Sequence, residues 1–128
     1  MPFPRFLVLM LLLGLNAFGQ QVSGELFQAF KSSNATKVAS YFDQTVDLSF
    51  PGNEGVFSRN QSELMLQDFF TKNPVKNFYL KHENKSADGS VSAIGTLHCQ
   101  TGVFRVFFYL KKVGDSQQLK ELRIEKSN

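Results

Sequence analysis

Two aspartates, two histidines and one cysteine are the candidates for catalysis in this sequence. They are Asp43, Asp47, His82, His98 and Cys99. A carboxylate in an apolar pocket can act as a general base, a histidine can donate or accept a proton, and a cysteine can act as a nucleophile. Each role needs a partner within hydrogen-bond reach or surroundings that shift the pKa. The elements that carry these side chains therefore decide which chemistry is available.

The two aspartates are predicted to be structural or solvated. Val46, Leu48 and Phe50 alternate with Asp47 and Ser49, which is typical of a strand with one buried face. This alternation turns Asp47 away from the core. Asp43 is interpreted as a residue at the end of a helix. Unpaired carboxylates are rarely buried, so neither aspartate is assigned a catalytic role.

The histidines and the cysteine are also given structural interpretations. Alternation along a predicted strand places His82 on the face of Phe78 and Leu80, and so at the mouth of any pocket, whereas His98 falls on the opposite face. No third ligand follows at a familiar spacing, so no metal site and no cofactor are predicted. A hydrogen-bonded histidine at the edge of the core is favoured for His82. Cys99 is predicted to be a small buried hydrophobe.

Three helix starts are indicated by capping residues. Ser23, Asn34 and Ser58 each precede a helical pattern, and Ser58 forms a capping box with Gln61. The second helix is predicted to run through Phe42, and the third to end before Pro74, which has no N–H to donate. The apolar residues expected to turn inward are Leu26, Phe27, Phe30, Val38, Tyr41, Phe42, Leu64, Met65, Leu66 and Phe69.

The second half of the chain has only strand patterns. After the short strand that ends at Phe50 and the third helix, alternating segments follow at 76–85, 90–101, 103–112 and 119–126, joined by tight turns. Strands in such an order form an antiparallel meander, with the helices covering one face. The predicted fold class is therefore α+β, in one domain.

The N-terminus is predicted to be a signal peptide spanning residues 1–19, with cleavage near 19–21. Arg5 precedes an apolar run of ten residues from Phe6 to Leu15, and Ala17 and Gly19 supply the small residues of a cleavage site. An uncleaved anchor is the alternative, but a bilayer span needs about 20 apolar residues. The remaining 22–128 form the predicted domain, exported to the periplasm or secreted.

Composition excludes several classes of protein. The formal net charge is only +3 and no run of like charges occurs, which argues against a nucleic-acid or membrane-surface protein. A single cysteine cannot form an internal disulfide. Eleven of the fourteen phenylalanines lie beyond the predicted signal peptide and supply the apolar material for a core instead.

The element order resembles the NTF2-like superfamily of cystatin-like cones, and more narrowly the Bacteroidetes DUF4783 family of exported proteins of unknown function. The resemblance covers essentially the whole chain after the leader. The segments that carry it are VDLSFPG (46–52), DFFTKNP (68–74), FYLKHE (78–83), AIGTL (93–97) and ELRIEK (121–126).

The resemblance implies a curved sheet whose concave face, together with N-terminal helices, encloses a pocket, and a second sheet face that often forms homodimers. The predicted pocket residues are Tyr41, Phe50, Phe57, Phe69, His82, Phe104 and Phe108. The residues predicted for a dimer interface are Tyr79, Ile94, Phe107 and Tyr109, with an ordinary solvated face as the alternative.

Fold alone does not fix function, since the same cone supports enzymes and binding modules. The favoured hypothesis is a non-catalytic domain that binds a small apolar molecule or a protein partner. An enzyme resembling ketosteroid isomerases or dehydratases, with Asp47 or His82 as the reacting group, is the alternative. A third hypothesis is an interaction module that works through the uncovered sheet face.

Overall fold

The computed structural model describes residues 22–127, so the predicted signal peptide (1–19) and its cleavage region (19–21) lie outside the described residues. No helix in the described part is long and apolar enough to cross a membrane. The elements, in chain order, are α1 (Gly24–Lys31), α2 (Ala35–Ala39), β1 (Phe42–Phe50), β2 (Asn53–Ser58), α3 (Arg59–Lys72), β3 (Val75–Lys85), β4 (Val91–Cys99), β5 (Gly102–Val113) and β6 (Ser116–Lys126).

The three predicted caps are confirmed. The Ser23 hydroxyl accepts a hydrogen bond from the Leu26 N–H at 3.1 Å, and Asn34 Oδ1 accepts one from the Lys37 N–H at 3.0 Å. Ser58 accepts from the Gln61 N–H at 3.2 Å. Each cap pairs an amide that the first turn of a helix leaves unbonded.

The strands form one six-stranded sheet in the order β2-β1-β6-β5-β4-β3. The predicted antiparallel meander of β3 to β6 is confirmed. However, β1 pairs in parallel with β6, so the sheet is mixed rather than wholly antiparallel. Parallel neighbours need a long connection. Here that connection runs through β2, α3 and the meander.

Two boundaries differ from the predictions in the region between α2 and α3. Helix α2 ends at Ala39, and Phe42 begins β1 instead of ending a helix. The Leu119 N–H donates to the Tyr41 carbonyl at 2.6 Å, and Phe42 pairs with Leu119. The sequence gives no strand pattern for β2, because its asparagine and glycine disfavour strands. In the structure the strand is largely exposed, with Val56 at 69%. Pairing with β1 holds it in place.

The helices cover one face of the sheet, here called the inner face, and leave the other face, here called the open face, uncovered. Phe30 on α1 packs against Phe108 and Phe78 on the inner face, with ring centroids 5.3 and 5.1 Å apart. All three rings are buried, and burying each contributes about 1.5–3 kcal/mol. Phenylalanines thus fill the middle of the cone.

Helix α3 turns Met65, Leu66 and Phe69 toward the core, as predicted, but not Leu64. Leu64 is 65% exposed, whereas Leu66 is fully buried together with Phe69 and Phe70. Ser62 and Leu66 are four residues apart, and Phe69 and Phe70 continue the same helical face. Leu64 is directed away from this face, so the prediction that it packs in the core is wrong.

Candidate functional site

A cavity of about 320 Å³ lies between the C-terminal half of α3 and the inner face of the sheet. We call it the helix–sheet cavity. Ligand pockets in proteins usually measure roughly 300–1,000 Å³. Its apolar lining comes from Phe50, Phe69, Phe104 and Met65. The remaining lining residues are Pro51, Asn53, Asp68, Lys72, Asn73 and Lys126.

Three phenylalanines from three elements build the apolar wall. Phe69 of α3 lies 5.6 Å, centroid to centroid, from Phe50 at the end of β1. Its ring also meets the ring of Phe104, near the start of β5, edge-on at 5.1 Å. Edge-to-face and offset pairs of this kind are the favoured arrangements of aromatic rings. The three rings are therefore held in place by one another.

The end of α3 is tied to the turn between β4 and β5. The Asn73 N–H donates to the Phe69 carbonyl at 2.8 Å, and the Asn73 side chain also donates to that carbonyl, at 3.0 Å. The Thr101 hydroxyl donates to Asn73 Oδ1 at 2.6 Å. Helix α3 thus stops where Pro74 requires it to, and its last turn is anchored beside the cavity.

Charged groups lie at the edge of the cavity. Lys72 Nζ is 3.0 Å from Asp68 Oδ2, one helical turn earlier. Lys126 reaches the cavity from the end of β6, where it pairs with Phe104 of β5. These three residues were not among the predicted pocket residues, although helical spacing from Phe69 and alternation from Ile124 place them on this side.

Of the seven predicted pocket residues, Phe50, Phe69 and Phe104 line the helix–sheet cavity. Phe108 is fully buried against Phe30 in the middle of the core, and Phe57 of β2 packs against the core from the sheet edge. Tyr41 lies near α1, where its hydroxyl is 3.0 Å from Ser23 Oγ. The structure thus brings together three of the seven residues.

His82 lies on the open face and is exposed. A β-bulge separates the pair Leu80–Gly95 from the pair His82–Ile94, so Lys81 is the extra residue in β3. One extra residue exchanges the two faces of a strand beyond it. Glu83 now takes the inward position and accepts a hydrogen bond from the Val22 N–H at 2.8 Å. The prediction that His82 shares a face with Phe78 is therefore wrong.

The two aspartates lie away from the cavity lining. Asp47 is exposed on the open face, as predicted. Asp43 lies in β1 rather than at a helix end and forms an ion pair with Lys120 of β6. The hydrogen bond from Lys120 holds the pKa of Asp43 below its usual value.

Cys99 is buried, as predicted, and burial raises the pKa of its thiol. A thiol that stays protonated is a poor nucleophile. His98 is exposed on the open face, with its ring edge-on to that of Tyr79 at 5.0 Å. Among residues 22–127, no three side chains of the metal-binding types gather at one point.

The four residues predicted for an interface all lie on the open face. Ile94 and Phe107 are paired across β4 and β5, Tyr109 pairs with Glu121, and Tyr79 is 45% exposed. Arg105, Arg123 and Glu125 join Ile94 and Phe107 around a shallow cleft of about 200 Å³. The register thus gathers an apolar strip with charged neighbours.

Comparison with known proteins supports the architecture. A protein of the DUF4783 family from Bacteroides ovatus superimposes with a TM-score of 0.80 at 34% identity, over 86% of this chain and 99% of its own. A domain of unknown function with a cystatin-like fold from Nostoc punctiforme gives 0.62 at 13% identity, over 81% and 72%. A protein named Rd1NTF2_04 with long sheet gives 0.64 at 19%, over 78% and 93%.

No curated protein is significantly similar in sequence to this chain. The family model described as a domain of unknown function (DUF4783) matches residues 24–125, from the first helix to the penultimate residue of the last strand. The helices, the mixed sheet and the sequence agree over this range, and the chain therefore belongs to the DUF4783 family, with an α+β, NTF2-like cone as its fold.

Proposed function

We propose that this chain is an exported, non-catalytic binding domain that takes a small, largely apolar molecule into the helix–sheet cavity. The domain would span residues 22–128 and be released to the periplasm or secreted after loss of residues 1–19. The observation that carries the proposal is the aromatic cavity itself. Its volume of about 320 Å³ lies within the usual range for ligand pockets, and its apolar wall comes from elements that are held together by packing.

Two features of the lining support binding rather than catalysis. The apolar residues Phe50, Phe69, Phe104 and Met65 offer contact area to a ligand. Asp47 and His82, the groups an isomerase or dehydratase would have used in the alternative hypothesis, are exposed on the opposite face of the sheet. A general acid or base must lie within hydrogen-bond reach of its substrate, which counts against that enzyme.

A variant that fills the cavity tests the proposal. Met65→Trp replaces a flexible thioether in the lining by a bulky indole ring, whereas Leu64→Trp adds the same ring to the exposed side of the same helix. We expect the wild-type protein to bind the uncharged fluorophore N-phenyl-1-naphthylamine, Met65→Trp to bind it at least about tenfold more weakly because the volume is occupied, and Leu64→Trp to bind as the wild type does.

Fluorescence titration measures the three dissociation constants, and circular dichroism confirms that both variants fold. Equal affinity of Met65→Trp and the wild type would place the fluorophore elsewhere and refute the proposed site. If Met65→Trp does lose affinity, native mass spectrometry of protein purified from its own host identifies the natural ligand by its mass.

A second candidate function is association with a second copy through the open face. The apolar strip of Ile94, Phe107 and Tyr109, with charged neighbours, has the composition of an interface. In addition, the Thr96 hydroxyl on this face is buried and has no hydrogen-bond partner within residues 22–127. A polar group from a second copy would remove the free-energy penalty of that unpaired hydroxyl.

A further inference from the structure

Lys126 occupies an inward position on β6, where the two inward residues before it are apolar. Leu122 and Ile124 precede it at intervals of two on β6, and both are buried. Its partner across the ladder is Phe104, which belongs to the cavity wall. Residues that pair across strands share a face, so the lysine stem lies on the aromatic side. A long stem of this kind packs on apolar surface and carries its ammonium to the rim.

The charges around the helix–sheet cavity do not cancel. Lys72 and Lys126 line it together with one carboxylate, that of Asp68. Asp68 is paired with Lys72 at 3.0 Å. Within residues 22–127, Lys126 forms no ion pair. The lining therefore keeps one positive charge beside an aromatic wall.

A neutral polar group lies in the same lining. Asn53, the first residue of β2, contributes to the cavity and is exposed. An amide N–H and an ammonium are both donors. Two donors beside an apolar wall match an acidic group at the end of an apolar molecule.

We propose that the ligand of the helix–sheet cavity is an amphipathic acid, with its apolar part on Phe50, Phe69 and Phe104 and its anionic group bound by Lys126 and Asn53. This inference rests on the proposed function, because it names the chemical class of the molecule that the cavity takes. A chain-like or aromatic monocarboxylic acid fits the description. Hydrogen bonds from a charged donor to an anionic acceptor are stronger than neutral ones, so the acidic group adds selectivity.

A matched pair of fluorophores tests the acidic group separately from the cavity. 8-Anilinonaphthalene-1-sulfonate and N-phenyl-1-naphthylamine share one ring system, and only the first carries an anion. We expect Lys126→Gln to weaken binding of the sulfonate by about threefold to fivefold and to leave the amine unchanged. Lys126→Glu should weaken it further, because it places a negative charge at the rim.

Two further variants complete the charge series. Asp68→Asn removes the one carboxylate that residues 22–127 contribute to the lining and should strengthen sulfonate binding by about the same factor. Lys85→Gln removes an exposed lysine at the far end of β3 and should change neither affinity. Added salt should reduce the effect of Lys126→Gln, because ions screen exposed charges.

The outcomes separate the two proposals. Loss of sulfonate affinity in Lys126→Gln, with the amine unaffected, supports the acidic ligand. If the amine binds and is lost in Met65→Trp but Lys126→Gln changes the sulfonate no more than Lys85→Gln does, the acidic ligand is refuted and the cavity function stands. If Met65→Trp binds both fluorophores like the wild type, the cavity function is refuted and this inference with it.

Discussion

At the scale of single residues, the ion pair between Asp43 and Lys120 connects β1 and β6, which are first and last in the chain and neighbours in the sheet. Both residues lie where the ladder is irregular, since the β1–β6 register shifts after Phe42 and Lys120 is the extra residue of a bulge in β6. The side chain of Asp43 is only 19% exposed. The pair therefore connects β1 and β6 where their ladder is interrupted.

This pair makes stability depend on pH in a defined direction. The Lys120 hydrogen bond lowers the pKa of Asp43 from 3.8, so the folded state favours the charged carboxylate. The resulting stabilisation is present above pH 3.8 and is lost as the pH falls through the lowered pKa of the folded state. We expect Asp43→Asn to reduce the free energy of unfolding by about 0.5–1 kcal/mol at pH 7.

Urea denaturation at neutral and acidic pH measures this effect. The difference in stability between Asp43→Asn and the wild type should vanish well below pH 3.8, where the carboxyl group of Asp43 is protonated and as uncharged as the asparagine that replaces it. Glu54→Gln, an exposed change at the edge of the sheet, is the matched control and should have little effect at either pH. A difference for Asp43→Asn that persisted in acid would mean that the ion pair is not its source.

At the scale of elements, the bulge in β3 sets which side chains face the helices. It lies directly opposite Gly95 of β4. A Cβ at Gly95 would lie 2.6 Å from the Tyr79 carbonyl oxygen and 2.8 Å from the Phe78 ring. Glycine in a strand often marks such a close approach. The absence of a side chain at Gly95 thus lets β3 bend against β4.

Gly95→Ala is expected to destabilise the protein by about 2–3 kcal/mol, because the methyl group must displace the backbone of β3. Gly24→Ala is the matched control, since a Cβ at Gly24 meets nothing within 4 Å and alanine favours the first turn of α1. Thermal unfolding of the two variants measures the difference. Equal stability of Gly95→Ala and the wild type would show that β3 can move away from β4 without penalty.

At the scale of the whole molecule, the sheet has one face that the helices cover and one that they leave uncovered. The bulge adds His82 to the open face, directly opposite Ile94, which itself pairs with Phe107. His82, Ile94 and Phe107 thus form a row across β3, β4 and β5, in which His82 borders the apolar strip. A symmetric pair of molecules could bury the strip against its copy.

We expect Phe107→Asp to lower the mass measured by light scattering to half that of the wild type, because a carboxylate at the centre of the strip repels its copy. Ile94→Arg should do the same through a different side chain, and Leu64→Asp, a matched change on the exposed side of α3, should leave the mass as it is. Wild type and Phe107→Asp of equal mass would contradict the interface.

Local sequence patterns determined the helix caps at Ser23, Asn34 and Ser58, the four meander strands and the outward position of Asp47, because each depends on neighbours close in the chain. The tertiary structure alone decided what depends on contacts between distant segments. Phe42 is part of a strand because it pairs with β6, and β2 is a strand because it pairs with β1. One bulge moved His82 to the open face, and the packing of Phe30 on Phe108 filled the middle of the cone. The cavity therefore formed beside Phe50, Phe69, Phe104 and Lys126, which lie far apart in the sequence and meet only in the fold.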